Sequence, residues 1–361
     1  MAESRQGNEP SEPLLLDKYR GCLMGVLLGD CIGGLFDFQW RIDSLPPRRV
    51  EQIEDSIWSH LKNYVQPSLQ YTDDTSMSLS LAESLLKNCG LDPKDLARTF
   101  VDRYLHEVNK QLCYAQVPYD VFDVWEEMHF EGDIFAPARR RFGGVGSTGN
   151  GGAMRAAPVA LFCGGDPDAL VQIAKTNTQL THAHAEGYNG AILQAYAVSL
   201  ALHNNAPLDV ELFLNQLLEF NRRLEDGLLE KPFTKRFEIV RQLLREDNVE
   251  ATEVVRQLGH SVLAVDAMPM ALFCALRSLK PIASVNREHE IERSIIYAIS
   301  MGGDTDTIAS MTGAITGALF GMKQIPSSWI TMCEASEKLL AVAEKLFLHA
   351  SAKIASSCGS D

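Results

Sequence analysis

A stripe of glycines near the start of the chain restricts its fold more than any other feature. Glycine recurs every four residues in a segment predicted to be helical from Leu14 to Gly34, at Gly21, Gly25, Gly29 and Gly33. Residues four apart lie on one face of a helix. Each glycine costs the helix about 1 kcal/mol relative to alanine, so a neighbour must approach the stripe closely. Charged residues interrupt the apolar run, which favours a soluble helix over a membrane-dimerisation stripe.

A second glycine stripe with the same spacing lies near the other end of the chain. It consists of Gly313, Gly317 and Gly321, next to a helical pattern of apolar residues. We expect the two striped helices, 21–33 and 313–321, to pack against each other at the centre of the molecule.

The remaining apolar residues recur mostly at helical spacing. β-branched alternation and Asn-Gly hairpin signals are missing, and no long repeat is evident. The segment from Asp37 to Tyr71 contains three prolines and is expected to be irregular. A later helix is predicted to open at Ala267-Met268-Pro269. The sequence therefore predicts one all-α domain of about a dozen helices, spanning 14–355, after a disordered tail at 1–13.

Size and charge restrict the classes of function. The chain has 361 residues, of which 46% are hydrophobic, and these suffice for a large core. Its net charge of −14 excludes a general basic surface for nucleic acid. Binding of an anionic small molecule would therefore require local positive charge that overcomes the negative potential of the protein, such as bound metal ions or helix N-termini.

The cysteine pattern and the N-terminal sequence indicate the cellular location of the protein. None of the eight cysteines forms a C-x-x-C pair or zinc spacing, which favours reduced, mostly buried thiols. The polar first 13 residues have no apolar signal core and do not resemble an Arg-rich presequence. No uncharged apolar run reaches membrane-spanning length. We expect a soluble, intracellular protein that binds neither membranes nor nucleic acid directly.

Two acidic segments, far apart in sequence, each precede or begin a predicted helix. They are Tyr71-Thr72-Asp73-Asp74-Thr75 and Met301-Gly302-Gly303-Asp304-Thr305-Asp306-Thr307. Acidic residues there can simply cap the helix. Where the chain is still turning, however, Asp304 and Asp306 can face one point. Because the segments offer only hard oxygen ligands, we expect them to converge on Mg²⁺, Mn²⁺ or Ca²⁺ rather than zinc.

A glycine-rich loop is the second candidate for chemistry. Six of the eleven residues from Phe142 to Gly152 are glycine, and a helix is predicted to follow from Ala153 to Phe162. Backbone N–H groups exposed in such a loop can cradle a phosphate or diphosphate. The loop matches neither the Walker nor the dinucleotide-binding pattern, since no strand precedes it. A flexible turn accounts for it equally well.

Two further groups of residues have simpler interpretations. His182 and His184 stand two apart in a predicted loop, and further zinc ligands are missing there, so a structural role is favoured. The run Arg139, Arg140 and Arg141 is most simply a solvated helix face.

Across about residues 18–350 the chain resembles the ADP-ribosyl-glycohydrolases, which are all-α enzymes with a two-magnesium centre. The resemblance implies one compact, orthogonal multi-helix bundle. It points to the type that removes ADP-ribose from serine and degrades poly(ADP-ribose) and O-acetyl-ADP-ribose. It rests on six motifs, which are Gly29-Asp30, Tyr71–Thr75, Gly149–Arg155, Leu180-Thr181-His182, Gly187–Ala191 and Gly302–Thr307.

The resemblance also assigns roles to residues of this chain. Two Mg²⁺ ions would orient the distal ribose for attack by water, with Asp37, Asp304 and Asp306 at the catalytic centre. The metal ligands would be Asp37, Thr72, Asp73, Asp74, Asp304, Asp306 and Thr307, with Asp306 bridging the ions. The residues that contact substrate would be Asp73, Phe142, Gly143, Gly146, Ser147, Thr148, Gly149, Asn150 and His182. Among these, Phe142 would stack on adenine, and His182 would contact the distal ribose or its phosphate. The diphosphate would be bound by Gly146, Ser147, Gly149 and Asn150.

Three positions depart from the family pattern. Asp37 stands where the type has a mobile glutamate, so the carboxylate remains but its reach is one methylene shorter. Thr148 replaces a tyrosine that helps to sandwich adenine, and Val145 replaces a common lysine. These departures keep open a weakly active paralogue or a non-catalytic ADP-ribose reader. An ADP-ribosyl-arginine hydrolase and a Ca²⁺-bound structural protein are further alternatives.

The expected partners follow from the resemblance. They are ADP-ribosylated proteins, poly(ADP-ribose) and ADP-ribose, bound by a monomer. The expected locations are the nucleus and cytoplasm, with the mitochondrial matrix as a further compartment.

Overall fold

The fold is all-α, as the sequence predicts. A computed structural model describes residues 12–37, 49–107, 114, 116–205, 207–246 and 248–358. These ranges contain eighteen α-helices, one short 3₁₀ turn and no strand. The number exceeds the expected dozen because several helices are a single turn or two long. None of the described helices is long and apolar enough to cross a membrane.

The helices are numbered in chain order. They are α1 Glu12–Gly33, α2 Val50–Asn63, α3 Asp73–Asn88, α4 Pro93–His106, α5 Gln116–Glu127, α6 Ala136–Gly144, α7 Gly151–Met154, α8 Ala157–Cys163, α9 Pro167–Gln179, α10 Ala185–Leu202, α11 Val210–Leu224, α12 Pro232–Leu244, α13 Ala251–Leu258, α14 Ala264–Arg277, α15 Glu290–Ser300, α16 Thr305–Phe320, α17 Ser327–Met332 and α18 Ser336–Cys358.

The two glycine-striped helices, α1 and α16, are in direct backbone contact, which confirms the predicted pairing. A Cβ on Gly25 would overlap the carbonyl group of Gly313, and a Cβ on Gly21 would lie 2.5 Å from the carbonyl oxygen of Gly317. Such an approach is open only to residues without a side chain. The dense packing it allows offsets the helix propensity lost at each glycine.

This helix pair forms the centre of the molecule. Every residue of α16 from Thr305 to Leu319 is buried, as is nearly all of α1 from Tyr19 to Ile32. Helices α14 and α15 pack against α16, and α18 covers the other side of α1. The start of α16 and the end of α1 are therefore attached to two buried helices whose backbones are in direct contact.

The prediction of an irregular segment from Asp37 to Tyr71 is wrong in part. Residues 50–63 form helix α2, which buries Val50, Ile53 and Ile57. Their spacing of three and four residues is helical. The prolines that suggested irregular structure flank this helix and do not interrupt it. Residues 38–48 lie outside the described part of the chain.

Two predicted helix boundaries are also wrong. The helix expected from Ala153 to Phe162 is divided into α7 and α8, because Arg155 leaves the helical conformation and Pro158 lies in the first turn of α8. Helix α14 starts at Ala264, so Pro269 lies inside it and does not open it.

The remaining expectations have mixed outcomes. The six cysteines whose side chains are described are unpaired, and all but Cys89 are buried. Arg139 and Arg140 are exposed as predicted. Arg141 instead lies at a kink in α6 and forms an ion pair with Asp120. Most of the predicted tail at 1–13 lies outside the described residues, and the 14–355 boundary stays a prediction.

Candidate functional site

The two acidic segments meet at the N-termini of α3 and α16. The Thr307 hydroxyl donates a hydrogen bond to Asp74 Oδ2 at 3.2 Å, which joins residues 233 positions apart. Asp73, Asp74, Asp306 and Thr307 are all buried. The predicted convergence of these segments is therefore present in the fold.

A third segment brings another carboxylate to the same place. One carboxylate oxygen from each of Asp37, Asp304 and Asp306 lies within 4.8 Å of the other two. Asp37 follows α1 after a short turn, so the glycine-striped helix positions it directly. A Cβ on Gly33, the last residue of α1, would lie 2.6 Å from Asp306 Cα. Close helix packing thus determines the distance between the carboxylates.

Asp30, on the buried face of α1, holds the α3 segment in place. Its carboxylate accepts the backbone N–H of Thr72 at 2.9 Å and that of Thr75 at 2.9 Å. Asp30 therefore caps α3 from a distance, in addition to the Thr72 side chain, which accepts the Asp74 N–H. The sequence showed Asp30 as part of a motif, but its positioning role required the fold.

The start of α16 is held in a comparable way. The Thr305 hydroxyl donates to the carbonyl oxygen of Gly33 at 3.0 Å, and the Asp304 N–H donates to the carbonyl oxygen of His260 at 3.0 Å. Gly303 has a φ of +70°, and a Cβ there would overlap the His260 carbonyl oxygen. His260 was not anticipated, because nothing local in its sequence connects it to Asp304.

The cluster is electrostatically unfavourable without a cation. Burial raises the pKa of Asp74 well above its ordinary value, and Asp30, Asp73 and Asp304 raise it further. The pKa of Asp306 is raised in the same way, by burial and then by Asp37, Asp304 and Asp74. Asp74 Oδ1 is buried without a hydrogen-bond partner. Crowded carboxylates with an unsatisfied oxygen suit a hard divalent cation.

The glycine-rich loop is connected directly to this cluster. The Asn150 side-chain amide donates to Asp304 Oδ2 at 2.5 Å. On its other side the loop pairs with an extended segment before α14, through Asn150 N–H to Val262 O at 2.9 Å and Ala264 N–H to Thr148 O at 3.0 Å. This pairing was missed, since short irregular segments carry no periodic signal.

The loop has the backbone conformation that its glycines predict. Gly143, Gly144 and Gly146 have φ values of 69°, 92° and 83°. A Cβ on Gly146 would also lie 2.7 Å from the backbone nitrogen of His184. The helix after the loop, α7, has only four residues, so the loop N–H groups contribute more than a helix dipole to any anion binding.

The two ends of the loop differ in exposure. Ser147 is buried, and its hydroxyl accepts the Gly149 N–H at 3.1 Å. Phe142 has a φ of 51°, and the residue is 60% exposed. The Arg141 guanidinium lies over the Phe142 ring, 5.7 Å from its centroid. Val145 is 61% exposed and Thr148 is half-buried. An aromatic face is thus available at the outer end of the loop.

His182 lies beneath the loop, whereas His184 is structural. The His182 ring packs against Gly149 and Gly151 and is buried. Its pKa is lowered to about 3, mainly by burial and also by the Arg155 charge, so the ring is neutral at pH 7. His184 is the N-cap of α10 and accepts the Glu186 N–H. The structural interpretation therefore holds for His184, while His182 lies against the candidate site.

Comparisons with known proteins agree with this geometry. A profile described as ADP-ribosylglycohydrolase matches residues 11–355. The chain is 38% identical over 344 residues to ADP-ribosylhydrolase ARH3 of Bos taurus, covering 92% of this chain and 92% of that protein. For ARH3 of Homo sapiens the values are also 38% over 344 residues, covering 92% and 93%.

More distant relatives match as well. ADP-ribosylarginine hydrolase Tri1 of Pseudomonas putida is 25% identical over 338 residues, covering 92% of this chain and 78% of that protein. A solved structure titled "ADP-ribosylglycohydrolase-related protein complex" superposes with a TM-score of 0.65 at 22% identity, covering 94% of this chain and 99% of the other. At that identity the superposition supports the fold alone.

Proposed function

Because this chain belongs to the ADP-ribosylglycohydrolase family, we propose that it is a Mg²⁺-dependent hydrolase that releases ADP-ribose from serine-linked, O-glycosidic modifications of proteins. Poly(ADP-ribose) and O-acetyl-ADP-ribose are further proposed substrates. The observation that carries the proposal is the meeting of carboxylates from three separate segments next to a glycine-rich loop.

The acidic cluster is proposed to hold two Mg²⁺ ions. The proposed ligands are Asp37, Thr72, Asp73, Asp74, Asp304, Asp306 and Thr307. Bound Mg²⁺ would supply the positive charge that lets these carboxylates ionise together and would hold the hydroxyls of the distal ribose. The buried Asp74 Oδ1 without a partner and the raised pKa values of Asp74 and Asp306 support this assignment.

The loop is proposed to bind the nucleotide part of the substrate. Gly146, Ser147, Gly149 and Asn150 would contact the diphosphate, with Gly143 and Thr148 beside them. The exposed Phe142 ring would stack on adenine, and His182 would contact the distal ribose or its phosphate. This arrangement would orient the anomeric carbon for attack by water, and orientation of reacting groups lowers a reaction barrier strongly.

Asp37 is the residue whose substitution tests whether the protein is an active enzyme or a non-catalytic ADP-ribose reader. Its carboxylate already lies within 4.8 Å of those of Asp304 and Asp306, so the shorter side chain is compatible with a role at the centre. We therefore expect Asp37→Glu to change turnover by less than about threefold and Asp37→Asn to abolish most of it. A gain of more than about tenfold in Asp37→Glu would show that the native aspartate is a handicap and would favour a weakly active paralogue.

The direct experiment uses a peptide with ADP-ribose on serine. We expect release of free ADP-ribose in MgCl₂, loss of release in EDTA, and recovery when excess Mg²⁺ is added back. Arginine-linked ADP-ribose and poly(ADP-ribose) are assayed in parallel. Cleavage of only the arginine-linked substrate would favour the sibling activity. Binding of ADP-ribose by calorimetry without any release would identify a reader.

A further inference from the structure

Arg155 is a fully buried cation behind the glycine-rich loop. Its exposure is 0%, and burial lowers its pKa to about 9, while the Asp73 charge acts in the opposite direction. Its guanidinium donates to Asn177 Oδ1 at 2.9 Å, to the Gly151 carbonyl at 2.9 Å and to Thr181 Oγ1 at 2.8 Å. Burying a charge is costly, and these hydrogen bonds reduce that cost. They also connect Arg155 to both the loop and the His182 segment.

The Thr181 hydroxyl lies between Arg155 and His182. Thr181 Oγ1 accepts from Arg155 and lies 2.8 Å from His182 Nδ1. If Nδ1 carried a proton, the hydroxyl oxygen would accept two hydrogen bonds, and its own proton would have no acceptor among the described residues. A buried donor without a partner costs about 1–3 kcal/mol. If Nδ1 is unprotonated, the hydroxyl accepts from Arg155 and donates to His182, and every group is satisfied.

The other ring nitrogen, Nε2, faces the loop. A Cβ on Gly149 would lie 3.1 Å from Nε2, and a Cβ on Gly151 would lie 2.9 Å from it. No hydrogen bond from Nε2 is found within the described part of the chain. The nearby Arg155 charge disfavours a second proton on the ring, as does burial. A neutral ring held in this way has one N–H, and that group lies against Gly149 and Gly151 of the glycine-rich loop.

We infer that Arg155 and Thr181 are positioning residues that hold His182 in the tautomer with its proton on Nε2, so that His182 is a hydrogen-bond donor to a bound ligand and not a base. The tautomer follows from the geometry alone. Its use as a donor to a ribose or phosphate oxygen rests on the proposed function. The Thr181 hydroxyl would thus contribute to recognition through its hydrogen bond to His182.

The tautomer is tested by ¹⁵N NMR of the ligand-free protein, with the His182 signals identified by their loss in His182→Gln. We expect the wild-type protein to show a protonated Nε2 and an unprotonated Nδ1. Thr181→Ser keeps the hydroxyl and should keep this pattern. Thr181→Val has nearly the same shape without the hydroxyl and should show a mixture or the opposite tautomer. A protonated Nδ1 in the wild-type protein, or an unchanged pattern in Thr181→Val, overturns the inference.

The donor role is tested by calorimetry with ADP-ribose in MgCl₂. We expect Thr181→Val to bind ADP-ribose about tenfold more weakly, as for loss of an oriented hydrogen bond to a charged group, while Mg²⁺ affinity is unchanged and Thr181→Ser restores binding. Equal affinity of Thr181→Val and the wild-type protein would contradict the donor role. Failure of the wild-type protein to bind ADP-ribose would instead contradict the proposed function, and the NMR result would still decide the tautomer.

Discussion

The acidic cluster and the glycine-rich loop are held in different ways. The cluster is attached to α1 and α16, whose backbones touch, and its residues are mostly buried. The loop is held by a few hydrogen bonds to an extended segment, and its outer end, Phe142 to Val145, is exposed. Carboxylates that repel one another stay close only if the helices that carry them cannot move apart. A surface that stacks on a planar base requires an exposed aromatic ring, and a rigid position of that ring is less important.

The difference is also electrostatic. The pKa values of Asp74 and Asp306 are raised by burial and by neighbouring carboxylates, so the cluster opposes folding when its members ionise together. The loop instead presents glycine backbone next to a neutral His182. Each region can therefore be perturbed separately.

The largest expected effect comes from removing a carboxylate of the cluster. Asp306→Ala should lower the rate of ADP-ribose release at least about 100-fold and weaken Mg²⁺ binding measured by calorimetry, because the Asp306 carboxylate lies within 4.8 Å of those of Asp37 and Asp304. Asp226→Ala, which removes an exposed aspartate between α11 and α12, is the control and should change neither. Normal turnover in Asp306→Ala would refute the metal assignment.

A second prediction concerns the packing of α1 against α16 and leaves the residues of the acidic cluster unchanged. Gly25→Ala adds a Cβ that overlaps the Gly313 carbonyl, and overpacking of this kind costs about 1–3 kcal/mol or more. We expect the melting temperature to fall by several degrees, at roughly 2–4 °C per kcal/mol. Gly25→Gln should lower it further. At Gly90, where a Cβ meets nothing within 4 Å, alanine is the control. Unchanged melting in Gly25→Ala would contradict the close packing of α1 and α16.

A third prediction concerns pH and metal removal. Because folding raises the pKa of Asp74 and Asp306 above their unfolded value of about 4, stability should decrease as the pH rises through the folded-state pKa values. In EDTA we therefore expect a lower melting temperature at pH 8 than at pH 5. Excess Mg²⁺ should remove much of this slope by binding the ionised form. Asp306→Asn should reduce the pH dependence of the melting temperature in EDTA. An equal pH dependence in that variant would show that groups other than Asp306 cause it.

The smallest expected effect concerns the loop. Thr148→Tyr introduces an aromatic ring beside the proposed adenine site, and an aromatic pair contributes about 0.5–1.5 kcal/mol. ADP-ribose affinity by calorimetry should rise about two- to tenfold, with Mg²⁺ affinity unchanged. Thr148→Val, which adds no ring, is the control. Weaker binding by Thr148→Tyr would indicate that the base lies elsewhere or that the half-buried position cannot admit the ring.

Much of this arrangement could be predicted because it follows from local pattern. The glycine stripes predicted the α1–α16 contact, since four-residue spacing places their members on one face of each helix. The acidic segments predicted a meeting place, since both stand at helix starts. Helix α2 was not predicted, because prolines lie on both sides of it in the sequence and its buried face has only three aliphatic residues.

The helical fold, the close pairing of two helices and the oxygen-rich composition of the candidate site can all be predicted from residue types and their spacing within individual segments. The residues that lie behind the site become evident only in the folded molecule. Three hydrogen bonds join segments that are distant in sequence. They connect Asp30 with Thr72, Asn150 with Asp304, and Arg155 with Thr181. Their geometry depends on how closely whole helices pack, and packing is a property of the assembled core and not of any one segment.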